Sequence, residues 1–331
     1  TKQMLEVHMK AKGYALLLIF VLVSCLLMAQ SWEKKSPYPS ALQSQAMYLF
    51  DENTVLIGLS GGSFLKTTDG GVTWATYASG ASGIIGSISF VNSTTGFASQ
   101  YNNKVIKTTD GGETWTAVDN GLNLDSGEQV SSVHFLSETT GYAACDEGKV
   151  FKTTNGGSSW SLLNTGTTTD IEATWFTDAN TGYIATLGPQ MKKTTNGGSS
   201  WTTQSLPVGA HNIFGSKALK FYNSNVGFAG AASGKIYKTT NGGSTWTNCS
   251  SGITSNIYGV SVIDENTVFM SSTAGHILKT TDGGSAWSIV YNNNSTYALY
   301  DIAFANANVG YAVGYKGIIL KTTDGGDNWT T

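Results

Sequence analysis

The sequence predicts an all-β protein: a seven-bladed β-propeller of four-stranded antiparallel blades. Three observations carry this. A nine-residue motif, first met as Lys66-Thr67-Thr68-Asp69-Gly70-Gly71-Val72-Thr73-Trp74, recurs at 107–115, 152–160, 193–201, 238–246, 279–287 and 321–329. The motif tryptophans stand 41 to 45 residues apart, a period that suits a propeller blade or a paired-helix solenoid. Within each period lie four short apolar runs separated by Gly, Asn, Asp and Ser, and none sustains a helical stripe. Four strands per unit is a blade.

Read in chain order, the first element is an address label. Lys10 and Lys12 precede an almost unbroken apolar run from Tyr14 to Met28, and Ala29-Gln30 offers a small residue at a cut. This reads as a secretory signal peptide cleaved after Ala29. The run is shorter than the roughly 18 residues of a membrane-spanning helix. Lipidation at Cys25, within Leu22-Val23-Ser24-Cys25, is the second reading. The expected organisation is therefore 1–29 as upstream residues and signal, and 30–331 as the propeller, with no membrane span after cleavage. Localisation is secreted, periplasmic or cell-surface.

The blades follow. In the repeat ending at Trp115, Ile88-Ser89-Phe90, Gly96-Phe97-Ala98 and Lys104-Val105-Ile106-Lys107 are the first three strands, and Trp115 opens the fourth. The third strand is apolar at consecutive positions (Val105-Ile106, Val150-Phe151, Ile236-Tyr237, Ile277-Leu278), as expected of a strand buried on both faces. Met191-Lys192-Lys193 breaks this pattern, so the fourth blade is expected to be the least regular. Trp32-Glu33-Lys34-Lys35 has no motif before it, and only Thr330 and Thr331 follow Trp329. An open strand edge invites aggregation, so residues 31–36 are expected to pair with the last blade near Gly317–Lys321, unless residues beyond 331 complete it.

The motif itself is a turn. Asp69, Asp110, Asp282 and Asp324 hold it in four copies, and Asn155, Asn196 and Asn241 in three. Asp-Gly or Asn-Gly between strands is a strong hairpin signal, and either side chain accepts from backbone N–H groups ahead of it. Trp74, Trp115, Trp160, Trp201, Trp246, Trp287 and Trp329 then close over the hairpin. Asn cannot serve as acid, base or anion, so the motif is read as structural and not as a calcium or catalytic site.

These residues resemble the Asp-box, or bacterial neuraminidase repeat. The fuller unit, with Phe, then Gly-Tyr-Ala, then Gly-x-Ile-x-Lys-Thr-Thr-Asp-Gly-Gly-x-x-Trp, is similar to the photosystem II stability/assembly factor family of seven-bladed propellers over about residues 32 to 331. The resemblance implies a non-enzymatic, protein-binding propeller, here a secreted bacterial member. Photosynthetic members of that family use an arginine-lined face. All 19 basic residues here are lysines, so the photosynthetic partner is not carried over.

Composition narrows the chemistry. A net charge of -3 gives no basic footprint for nucleic acid. Without arginine there is no sialidase carboxylate clamp. His134, His211 and His276 lie in different repeats and have no metal-ligand spacing, and no nucleophile elbow is present. No cofactor and no metal are expected. Cys145 and Cys249 are expected as free packing thiols. The acidic residues Asp119, Asp125, Glu128, Asp146 and Glu147, with Glu172 and Asp178 in the next repeat, leave a glycoside hydrolase or carbohydrate-binding propeller as the alternative.

The favoured reading is a monomeric binding scaffold for a protein partner or a cell-surface glycan. Its ligand face is expected opposite the Asp-box turns, where the long connections 116–130 and 202–217 lie. Candidate contacts are Asp119, Asn123, Asp125, His211, Phe214 and Trp175. Trp175 sits on an inner strand, where a core role competes with a contact role.

Overall fold

A computed structural model of the chain describes residues 40–294 and 297–331. Seven sheets follow one another in sequence order, each strand pairing antiparallel with the next. Blade 1 runs from inside to outside through Ser44–Leu49, Val55–Leu59, Ser63–Thr67 and Ala75–Ala78. The inner strands of the other blades are Ile85–Phe90, Val130–Phe135, Ile171–Phe176, Leu219–Phe221, Ile257–Val262 and Leu299–Phe304. Successive inner strands touch, and the last touches the first, so they line a central channel. The only helical pieces among the described residues are three-residue 3-10 turns at Asp146–Gly148, Ala232–Gly234 and Tyr315–Gly317.

Second strands are buried throughout, for example Gly96–Gln100 and Gly182–Thr186, because both of their faces meet neighbouring blades. The fourth blade is as regular as the others. Met191 is buried, and Lys192 is buried because its ammonium donates to Gly166 O at 3.1 Å and Thr203 Oγ1 at 3.4 Å. The irregular text is thus absorbed by a buried lysine with its own acceptors. Cys145 and Cys249 are free; Cys145 is wholly buried, which pushes its thiol pKa up.

Each Asp-box is a closed hydrogen-bond set. Thr67 Oγ1 donates to Asp69 Oδ1 at 2.8 Å and accepts the Gly71 N–H at 2.9 Å. Asp69 Oδ1 also accepts the Thr73 N–H at 2.9 Å. Gly70 and Gly71 hold φ of 72° and 92°, which a side chain resists. The Asn copies keep this arrangement: Asn155 Oδ1 accepts from Thr153 Oγ1 and the Ser159 N–H, both at 2.9 Å. Only the outer atom changes. Asn155 Nδ2 donates to Ser159 Oγ, whereas Asp110 Oδ2 accepts from Thr114 Oγ1.

A second interaction links the boxes around the ring. Lys152 Nζ donates to Gly197 O of the next blade's box at 3.0 Å. Lys193 does the same to Gly242 O, Lys238 to Gly283 O and Lys279 to Gly325 O, at 2.7–2.8 Å. Each of these ammoniums lies 5.3–5.5 Å from the ring of its own second strand's aromatic, Tyr142, Tyr183, Phe228 or Phe269. Tyr142 and Tyr183 in turn stack on Phe176 and Phe221 of the following blade, and those meet Trp201 and Trp246 edge-on.

The ring closes by the same contact. Lys321 Nζ donates to Gly70 O at 2.8 Å, Tyr311 OH to Glu52 O at 3.1 Å, and the Met47 N–H to Asp301 Oδ2 at 2.9 Å. Among the described residues the last blade has three strands, and Thr330 pairs with Lys321 in both directions, at 2.8 and 2.9 Å, where the fourth begins in the other blades. The pairing expected of residues 31–36 lies outside the described residues.

Asp110→Asn is expected to stay within about 1 kcal/mol of the parent in urea melts at pH 7, because Asn builds the same turn in three copies. Trp115→Ala is expected to cost about 3–5 kcal/mol, since this 7 % exposed ring stacks on Phe64 of blade 1. Burial acts to raise the Asp110 pKa, but hydrogen bonds from Thr114, Thr108 and Glu113 outweigh it and bring it to about 2. That contribution is present above the unfolded value of 3.8 and is lost as pH falls through about 2. The Asn variant therefore resists acid better than the parent.

Candidate functional site

The inner strands do more than line the channel. In six blades the inner strand carries one extra residue opposite its partner: Gln45, Gly86, Ser131, Glu172, Tyr258 and Tyr300. Such bulges re-aim a side chain and concentrate at rims. All six line one cavity of about 250 Å³ at the channel mouth, on the face opposite the Asp-boxes. Tyr101, from the turn between the second and third strands of blade 2, leans over Gly86; a Cβ there would lie 2.1 Å from its ring, so glycine is required.

Phe214, Tyr258 and Tyr300 continue the aromatic wall: Phe214 and Tyr258 lie parallel at 6.1 Å, and Tyr258 meets Tyr300 edge-on at 5.6 Å. Glu172 and Asp146 complete the mouth. Burial pushes both carboxyls above their usual range, and Asp170 adds repulsion to each. Glu172 Oε2 accepts the Gly215 N–H at 3.1 Å, and Asp146 Oδ2 the Gln129 N–H at 3.0 Å. Among the described residues neither carboxylate has a lysine partner. The mouth is therefore aromatic and anionic.

Beneath it, residues 215–217 cross the channel from blade 5 to blade 2. Ser216 Oγ donates to Gly86 O at 2.6 Å and Lys217 Nζ to Ile88 O at 3.1 Å, while Lys217 O accepts the Val260 N–H at 3.0 Å. This partition separates the mouth from a second chamber of about 290 Å³, lined by Lys217, Lys220, Asp301, His134, Thr174 and Trp175 among others.

The residues singled out in sequence are dispersed. Phe214 reaches the mouth and Trp175 the lower chamber, where it is partly buried against the core of blades 4 and 5. His211 is fixed through its N–H to Tyr237 OH at 2.7 Å. Asp119 is half-buried, and Asn123 and Asp125 are exposed on the connection between blades 2 and 3, outside the residues lining either cavity. Asp125, Glu128 and Glu147 bring carboxylate oxygens within 4.8 Å of one another, the spacing of a cation site. Lys149 occupies that position: its ammonium pairs closely with Glu128 and lies 3.2 Å from Glu147 and 3.9 Å from Asp125. The lysine supplies the positive charge, and the trio is an ion-pair network.

The model described as photosynthesis system II assembly factor YCF48 matches residues 73–169 and 162–297. The chain belongs to this family. No curated protein matches it. Among solved structures it is similar to YCF48 bound to a D1 peptide, at 18% identity and a TM-score of 0.70, covering 86% of this chain and 93% of that one. YCF48 from Cyanidioschyzon merolae gives 18% identity and a TM-score of 0.69, covering 86% and 96%. The WD40 propeller domain of Doa1 gives 0.69 at 9% identity, covering 85% and 92%. Likeness at these identities is likeness of fold, and the family assignment rests on the matched residues.

Of the residues in this family member's channel, Lys217, Lys220, Asp301, Tyr101, Tyr258 and Tyr300 were not singled out in sequence, and His134 was weighed there only as a metal ligand and set aside. Some left a signal: Lys220 in Leu219-Lys220-Phe221 and Asp301 in Leu299-Tyr300-Asp301-Ile302 are lone charges inside short apolar strands. His134 gives a direct check on the chamber. Burial lowers its pKa to about 4, and the nearby Lys217 ammonium acts in the same direction. A depressed histidine contributes stability above the unfolded value of 6.5 that is lost as pH falls through about 4. NMR titration is expected to find the His134 imidazole still neutral at pH 6; a midpoint near 6.5 would show a solvated ring.

Proposed function

We propose that this chain is a non-catalytic scaffold that binds a polypeptide at the channel mouth, on the face opposite the Asp-boxes. The observation that carries the reading is the mouth itself: Tyr101, Phe214, Tyr258 and Tyr300 around Asp146 and Glu172. Rigid aromatic rings are the usual anchors of protein interfaces. With two unpaired carboxylates beside them they suit a segment bearing Lys or Arg, whose cations take both the charge and the ring faces. The family description as an assembly factor, and the YCF48 structure that holds a D1 peptide, support a peptide ligand for this architecture. The mouth is anionic and the chain lacks arginine, so the partner differs in charge from one suited to an arginine-lined face. Secretion through residues 9–29 belongs to the same reading and places the partner outside the cytoplasm.

A second reading, a glycoside hydrolase, is favoured by one observation: Asp146 and Glu172 share a cavity with raised pKa values. Two assays separate them. In fluorescence anisotropy, a labelled Lys-rich peptide is expected to bind and a Glu-rich one not. Tyr258→Ala and Phe214→Ala are each expected to weaken binding about tenfold. Incubation with sialosides, β-glucan or xyloglucan oligosaccharides is expected to give no product. Turnover lost in Asp146→Ala or Glu172→Ala would establish the hydrolase, and equal affinity for both peptides would overturn the scaffold reading.

A further inference from the structure

We propose that the chamber beneath the partition is a second site, which binds a small carboxylate carrying an apolar tail. Its upper part holds two ammoniums and one carboxylate that share the space without pairing directly. Asp301 is buried, and its oxygens are already used by backbone donors, the Met47 N–H at 2.9 Å and the Ile302 N–H at 2.8 Å. Lys217 has one acceptor, Ile88 O. Among the described residues Lys220 has no hydrogen-bond acceptor, and its ammonium rests over the Trp175 ring, 5.9 Å from its centroid. Two lysines against one aspartate leave an excess positive charge in a space walled by protein, where an unpaired ammonium is expensive.

A carboxylate entering between them satisfies what the chain leaves open. Lys220 gains a charge-assisted acceptor. Thr174 Oγ1, buried on the same wall with no partner among the described residues, gains one as well. The lower part of the chamber changes character: Leu49, Phe90, Phe135 and Phe304 stand at the Asp-box ends of their inner strands. Polar at the partition and apolar toward the opposite opening, the chamber selects an amphipathic acid. Its volume of about 290 Å³ restricts the ligand to a small molecule. The burial that lowers the Lys217 and Lys220 pKa values and raises that of Asp301 to about 6 is the same desolvation that an anion relieves.

This site stands apart from the polypeptide reading, because the partition separates it from the mouth. Isothermal titration calorimetry of the intact protein with benzoate, hexanoate and benzamide tests it. Both carboxylates are expected to bind, and benzamide, the neutral isostere of benzoate, roughly tenfold or more weakly. Lys220→Met is expected to lose at least that factor and Lys220→Arg to retain binding, while Tyr258→Ala at the mouth leaves benzoate affinity unchanged. The proposal is overturned if neither carboxylate binds, if benzamide binds as well as benzoate, or if a folded Lys220→Met protein binds benzoate like the parent. Should Lys220→Met fail to fold, the parent decides: benzoate must raise its melting temperature where benzamide does not, and equal shifts reject the site.

Discussion

The contact on which this ring depends is an ammonium on a carbonyl. An Asp-box turn fixes a glycine carbonyl at the blade edge, and at five of the seven blade junctions the motif lysine of the preceding blade donates to it: Lys152 to Gly197, Lys193 to Gly242, Lys238 to Gly283, Lys279 to Gly325 and Lys321 to Gly70. The donor and the acceptor belong to the same nine-residue text, so one sequence unit specifies both halves of a heterologous interface. Such an interface closes into a ring when its rotation permits. This explains why the lysine recurs with the turn. A point-like ammonium on a flexible stem suits a single carbonyl acceptor, where a guanidinium fork would seek two. The aromatic beneath it, Tyr142 or Tyr183 for example, supplies both a π face for the cation and a flat wall for the next blade's Phe.

Repetition builds the frame, and departures from repetition build the chemistry. The bulge recurs in six blades, but its residue is different each time: Gln45, Gly86, Ser131, Glu172, Tyr258, Tyr300. A ring of equivalent backbone positions thereby carries unequal side chains into one mouth. Blade 5 departs further. Its inner strand is cut to Leu219–Phe221, and the freed residues 215–217 turn inward and divide the channel. One half is aromatic and anionic, the other cationic above and apolar below.

The frame was legible because its signals are local. Asp-Gly or Asn-Gly, the two glycines and the tryptophan determine a turn within nine residues, and the period counts the blades. The role of the lysine was not legible, since its acceptor lies about 45 residues away in sequence, at the next copy of the motif. The mouth was legible only in part. The length of 202–217 marked it as special and Phe214 was singled out, yet nothing local says that a loop folds into a channel. The acidic residues of 116–130 drew attention by composition, but Lys149 from the same blade neutralises the densest group. Pairing across a sheet is a property of topology, and a count of charges cannot see it.

If the lysine latch holds the ring, its removal destabilises each of the five interfaces that carry it, including the one that joins the last blade to the first. Urea melts of Lys238→Met and Lys321→Met measure this directly. Each is predicted to lose about 1.5–3 kcal/mol with an unchanged m-value, as expected for a charged hydrogen bond lost from a cooperative fold. Two variants that both melt within about 0.5 kcal/mol of the parent would contradict the account, and would leave the stacked aromatics as what holds blade to blade.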